Sequence, residues 1–203
     1  MESTRSEDAP IAHNFAAMDP ERRRFLEEAL NSMTVNVIEQ LEGAAKVLTD
    51  KRATEADQIE ALEIIIGYCE TLDTANDFCK IGGLNIILSV MDNSPFISVR
   101  GKCGMLLVAL SQNNPFCQKY LLELNAIPKL ITLVSNPDTS YYGIRALSAM
   151  VRNYEPCAAA FIDMGGLECI LGCLQIDNEK LLIQCLFLMC ALCTEYPEVR
   201  GKR

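Results

Sequence analysis

Pro115, Pro156 and Pro197 each stand 41 residues after the last. A repeat constrains this chain more than any single motif, because units of that size bury their apolar faces only by stacking. In that register Ile65, Leu106, Leu147 and Leu188 form one column, and Cys69, Leu110, Val151 and Leu192 form a second. Each turn is followed by an apolar helix and a small hinge: Gly82-Gly83-Leu84, Asn125-Ala126-Ile127 or Gly165-Gly166-Leu167. The next helix carries Ile87, Leu88 and Met91, then Leu130, Ile131 and Val134, then Ile170, Leu171 and Leu174. Positions i, i+1 and i+4 share one helical face. Breaker clusters close the units, Asp92-Asn93-Ser94-Pro95, Asn136-Pro137-Asp138 and Asp177-Asn178.

A period near 40 built from helices with a hinge before the last one predicts an all-α fold. It is an armadillo/HEAT-like right-handed α-solenoid with an N-terminal helical extension. The units fall at about 57–98, 99–140 and 141–180, with a partial copy over 181–203. Gly82 and Gly165 occupy helix ends that call for a left-handed residue, and Asn125 is the usual substitute there. Upstream, residues 1–18 read as flexible. Asp19 and Pro20 form a helix start, as N-cap and first helical residue. Residues 19–56 read as the extension and its linker. Phe25, Leu26, Ala29, Leu30 and Met33 on one helix, and Val35, Ile38, Leu41, Ala45 and Leu48 on a second, are expected to pack on the first repeat and cover its open end.

The net charge of −9 argues against nucleic acid or anionic membrane as the partner, since both need a basic footprint. Arg22-Arg23-Arg24 is the one dense basic run, and Glu27 and Glu28 follow it. No apolar run reaches the roughly 18 residues of a membrane span. Residues 1–18 lack an apolar signal core, so the expected compartment is the cytoplasm.

Catalytic chemistry finds no footing. His13 is the only histidine and lies in the N-terminal tail, and neither a GxGxxG nor a GxxxxGK[ST] loop occurs. The ten cysteines sit in apolar helical runs and read as small core residues, since Cys69 alternates with Leu and Val, and Cys103 aligns with Ile144 and Cys185. Cys190 with Cys193 and Cys169 with Cys173 have ligand-like spacing, yet a structural zinc needs four converging donors. Cys193 aligns with Glu70, Ser111 and Arg152, which makes it the candidate exposed thiol. The expectation is a protein with no catalytic residues, no metal, no cofactor and no small-molecule substrate.

Function then falls to the surface. If the last helix of each unit lines the concave side, its outward positions are Asn85 and Ser89, Lys129 and Thr132, and Glu168 with Gly172. Asn85, Ser89, Lys129, Thr132 and Glu168 are thus the candidate partner-binding residues. This mixed, small, polar set suits a folded protein partner. The Trp and Asn ladder of a groove for extended basic peptides is missing, and the chain has no Trp at all. A generic armadillo adaptor for a peptide or regulatory protein is the alternative, and a thiol-dependent sensor at Cys193 a third class.

Four stretches carry a family resemblance: MDPERRRFLEEAL (Met18 to Leu30), ALEIIIGYCETLDTANDFCKIGGL (Ala61 to Leu84), ALSQNNPFCQKYLLELNAIPKLITLV (Ala109 to Val134) and ALCTEYPEVRGK (Ala191 to Lys202). The chain resembles the armadillo-type nucleotide exchange factors of cytosolic heat-shock protein 70, the heat-shock-protein-70-binding protein and Fes-type family. The run around Asp73, Asn76, Asp77 and Phe78 is the most specific. The resemblance implies a co-chaperone that wraps its concave face around one lobe of the chaperone's ATPase domain, distorts the nucleotide cleft and speeds ADP release. A related branch acts in the secretory pathway. Family members carry further helices beyond the fourth-repeat position where Arg203 stands. The Leu188/Leu192 face is therefore expected to be uncovered, in a fragment or in a chain that self-associates there and is otherwise monomeric.

Overall fold

The computed structural model describes residues 19–196, the side chains of 31–36 excepted. The flexible-tail reading of residues 1–18, His13 and Pro197 lie outside the described residues. The chain divides into two compact units, residues 1–36 and 37–203.

The extension is one helix, not two. α1 runs unbroken over Pro20–Thr49, because no proline or glycine interrupts it between Pro20 and Gly43. Asp19 Oδ1 accepts from the Glu21 amide at 3.4 Å, as an N-cap acid should. In the first unit Phe25 and Leu30 are exposed. In the second unit Leu41, Ala44, Ala45 and Leu48 are buried, and the covering role belongs to this half of α1.

Ten further helices follow among the described residues of the second unit: α2 (Glu55–Tyr68), α3 (Leu72–Lys80), α4 (Gly83–Asn93), α5 (Ile97–Ser111), α6 (Pro115–Glu123), α7 (Ala126–Val134), α8 (Ser140–Val151), α9 (Glu155–Asp163), α10 (Gly166–Cys173) and α11 (Glu179–Glu195). The described residues contain no strand. A capping box opens α2: the Thr54 amide donates to Asp57 Oδ2 at 2.8 Å, and the Asp57 amide to Thr54 Oγ1 at 3.2 Å. Long α5 and α8 are each followed by two short helices, and like helices of successive triplets pack on one another. This makes three ladders: α2, α5, α8 and α11; α3, α6 and α9; α4, α7 and α10.

The left-handed hinges are present, with φ of 86° at Gly82, 54° at Asn125 and 83° at Gly165. The glycine that follows two of the hinges has a separate reason. A Cβ on Gly166 would stand 2.4 Å from the Phe161 ring, and one on Gly83 as close to Phe78. The first and third triplets thus close their two short helices over a buried aromatic ring, while the middle one has Ala126 after the hinge and the smaller Leu121 buried in α6.

Both sequence columns are core: Ile65, Leu106, Leu147 and Leu188 are fully buried, as are Cys69, Leu110, Val151 and Leu192 to within 1%. The proline register is one residue off, however. Pro115 opens α6 at its first position, whereas Pro156 is the second residue of α9. Left-handed Asn113 and Asn153, 40 residues apart, mark the structural step. Leu147 is therefore the counterpart of Leu107, and the slip does no harm because Leu106 and Leu107 are both buried. Two other readings need correction. Leu188 and Leu192 are not an open face, since α11 turns them against α8 and exposes Leu182, Ile183, Leu186 and Phe187 instead. Leu171, assigned to a core face, is 54% exposed.

A buried polar link ties the triplets together. The Gln118 amide on α6 donates to Ala149 O at 3.0 Å and to Arg152 O at 2.9 Å at the end of α8. These carbonyls belong to the last turn of α8, where no intrahelical donor remains.

Two stability contrasts follow from this packing. Leu147→Ala should lower the unfolding free energy by about 2–5 kcal/mol, while Lys129→Ala, which breaks one surface pair with Asp92, should cost at most about 1 kcal/mol. Equal urea midpoints for the two would contradict the core assignment. Gly166→Ala should cost about 1–3 kcal/mol by overpacking Phe161. Gly172→Ala, where a Cβ meets open space, should gain up to about 1 kcal/mol in the same titration.

Candidate partner-binding faces

The five sequence-predicted residues do lie on one ladder. Asn85 and Ser89 on α4, Thr132 on α7 and Glu168 on α10 are exposed, and Lys129 on α7 is half-buried. Lys129 is paired with Asp92 of α4, and the Thr132 hydroxyl donates to Pro128 O at 3.0 Å, so both already have partners. Ser89 borders a cleft with Leu48, Gln58 and Phe96.

The ladder of long helices offers a second candidate surface. Its members pack on one another more extensively than those of either other ladder, in keeping with their greater length.

Polar contacts run along this ladder. Ser98 meets Glu55, Lys102 Nζ meets Glu63 Oε1 at 2.8 Å, and Arg145 Nη1 donates to Met105 Sδ at 3.4 Å. Asn153 Nδ2 donates to Asn113 Oδ1 at 3.2 Å, and the Asn153 amide donates to Glu195 Oε2 at 2.8 Å. Glu195 also faces Arg152 Nε at 3.6 Å, and the Arg152 guanidinium lies 4.7 Å from the centre of the Phe187 ring. Between these groups is a cleft of about 310 Å³ that spans α5, α8 and α11, with Gln112, Arg145, Ser148, Arg152, Gln184 and Phe187 in its wall. Sequence reasoning passed over these residues. The signal was available in the pair Asn113 and Asn153, which recurs at the true step just after each long helix.

The cysteines are mostly core. Burial pushes the thiols of Cys69, Cys103 and Cys157 up to about 12. Cys79 Sγ and Cys117 Sγ lie 3.0 Å apart, joining α3 to α6 in a way that sequence spacing did not suggest. The Cys79 hydrogen bond holds the Cys117 thiol below its ordinary range and raises that of Cys79. The exposed thiol is Cys190, whereas Cys193 is half-buried. Among the described residues no group of His, Cys, Asp and Glu is placed to hold a metal ion, and no single helix is long and apolar enough to cross a membrane.

The SIL1/FES1/HPBP1 C-terminal domain matches residues 74–202, and the nucleotide exchange factor Fes1 family matches residues 1–78. The chain belongs to the SIL1/FES1/HPBP1 family. Human Hsp70-binding protein 1 is 26% identical over 200 residues, covering 91% of this chain and 56% of that protein. Hsp70 nucleotide exchange factor FES1 of Coccidioides immitis (strain RS) is 31% identical over 120 residues, covering 57% of this chain and 56% of its own length. Nucleotide exchange factor SIL1 of Xenopus laevis is 23% identical over 170 residues, covering 81% of this chain and 37% of that protein. The chain spans about half the length of the Hsp70-binding proteins it matches. Among solved structures, a designed armadillo repeat protein in complex with peptide (KR)4 superposes with a TM-score of 0.67 at 13% identity, over 76% of this chain and 64% of that one. That likeness shows the armadillo fold of the family member described here.

Exposure orders the thiols chemically. Iodoacetamide at neutral pH on the native protein should label Cys190 first and spare Cys69, Cys103 and Cys157, read by peptide mass spectrometry. Prior labelling of the core cysteines would contradict the packing.

Proposed function

We propose that this chain is a co-chaperone that binds the ATPase domain of cytosolic heat-shock protein 70 and promotes ADP release. The names of its relatives, Hsp70-binding protein 1 and Hsp70 nucleotide exchange factor FES1, support the partner and the activity. The cytosolic assignment leans on the Fes1 match over residues 1–78. The observation that carries the mode of binding is the cleft spanning α5, α8 and α11, on the ladder of closest packing.

The mechanism is thermodynamic linkage and needs no covalent step. A partner that prefers the nucleotide-free chaperone must weaken nucleotide binding by the same factor by which nucleotide weakens the partner. A coupling of about 1–3 kcal/mol corresponds to a roughly 5–150-fold change in affinity. In this reading the protein acts as a binding partner rather than an enzyme, as the name of the Fes1 nucleotide exchange factor family suggests.

Stopped-flow release of a fluorescent ADP analogue from the isolated chaperone ATPase domain tests this directly. The full chain should accelerate release, and no acceleration at saturating protein would refute exchange. Ala149→Arg, placed in the cleft wall, should reduce binding by about tenfold or more through steric blockage. A Ser89→Arg, Thr132→Arg double variant should bind normally. The opposite pattern would return the interface to Asn85, Ser89, Lys129, Thr132 and Glu168.

A further inference from the structure

We infer that the cleft between α5, α8 and α11 is a receptor for an acidic, apolar-flanked protein segment, with Arg145 as the carboxylate anchor. The inference deepens the proposed function by naming the chemistry that the partner must present at this site.

The case starts from charge. The chain carries 27 acidic and 18 basic side chains, yet the residues lining this cleft include Arg145 and Arg152 and no carboxylate. Arg152 already has a partner in Glu195 at 3.6 Å. Arg145 has no ion pair among the described residues. Its one hydrogen bond goes to the Met105 thioether, and its guanidinium lies 5.7 Å from the centre of the Tyr141 ring. A thioether is a weak acceptor and an aromatic face a weak counter-charge. Both hold the guanidinium in place without neutralising it. The side chain is half-buried, so it is fixed in position and still reachable. Five donors in the wall surround the same space: Gln112, Asn113, Ser148, Gln184 and the Arg145 fork. A planar guanidinium with flanking amides is built to take a carboxylate in bidentate geometry.

The rim decides between a protein segment and a free anion. Phe187 forms one wall of the cleft, and Ile183 and Leu186 extend the apolar surface along α11, each about half exposed. A free phosphate would use the arginine and leave these side chains in water. A segment with Asp or Glu beside Leu or Phe satisfies both, with the acid in the cleft and the apolar side chain on α11. Arg152 stacked over Phe187 at 4.7 Å stiffens that boundary. An apolar anchor next to one desolvated charge is the usual composition of a binding hot spot.

The test uses the full chain and two fluorescein-labelled short peptides, one alternating Glu with Leu and the other Lys with Leu, read by fluorescence anisotropy. The acidic peptide should bind with an affinity that falls as salt rises, and the basic peptide should not bind. Arg145→Gln should weaken the acidic peptide by about tenfold and flatten its salt dependence, while Arg145→Lys loses less. The melting temperature of Arg145→Gln should match that of the parent, because no buried pair is broken. Failure of the acidic peptide to bind, equal binding of the basic one, or no effect of Arg145→Gln would each overturn the inference. So would displacement of the peptide by millimolar inorganic phosphate, which would make the site an anion site only. Co-elution with the chaperone ATPase domain is scored separately. If the peptide pattern holds but the chaperone does not bind, the proposed function fails and the acidic-segment site stands. If the chaperone binds and Arg145→Gln changes nothing in either assay, the site fails and the function stands.

Discussion

Packing of each long helix on the next is the interaction on which the structure depends. α5 and α8 meet through side chains with no exposed surface, among them Leu106, Leu107, Leu110, Leu147 and Val151. No triplet could bury these residues alone, since the short helices cover only one side of each long one. Burial of a leucine of this kind contributes about 1.5–3 kcal/mol, and several such residues line each junction. Stability is therefore shared between neighbours, as in any stack with nearest-neighbour coupling. The ladder of long helices is both the most extensively packed part of the stack and the wall of the candidate binding cleft.

Polar groups adjust this apolar spine where helices end. The buried Gln118 amide satisfies two carbonyls in the last turn of α8, so α6 of one triplet is tied to α8 of the next. Left-handed Asn113 and Asn153 turn the chain out of each long helix and hydrogen-bond to one another across the repeat. Glu195 extends the series through the Asn153 amide and the Arg152 guanidinium. These links lie beside the cleft, where Glu195 holds the Arg152 guanidinium. The chain is acidic overall, while the lining of this cleft includes two arginines and no carboxylate.

Much of this was legible in the residues themselves, for definite reasons. Hinges announce themselves because Gly82, Gly165 and Asn125 are residues that tolerate a left-handed backbone. The core columns were legible because apolar side chains recur at helical spacing, and a slip of one residue still landed on a buried leucine. The proline spacing misled by one residue because proline is accepted at either the first or second position of a helix. An unbroken α1 was read as two helices because a change in the apolar face resembles a break when only spacing is considered. Leu188 and Leu192 were taken as uncovered because spacing defines a face without saying which neighbour meets it.

By itself the sequence determined the helical repeat, its hinges, its buried columns and the family. These depend on local backbone preference and on periodicity, which neighbouring residues encode. Only the tertiary structure decided that residues of α5, α8 and α11 come together around one cleft. It also decided that Arg145 has no carboxylate partner among the described residues while Lys129 has Asp92. Both outcomes arise from contacts between residues about 40 positions apart, and the packing that brings them together is a property of the stack and of no single repeat.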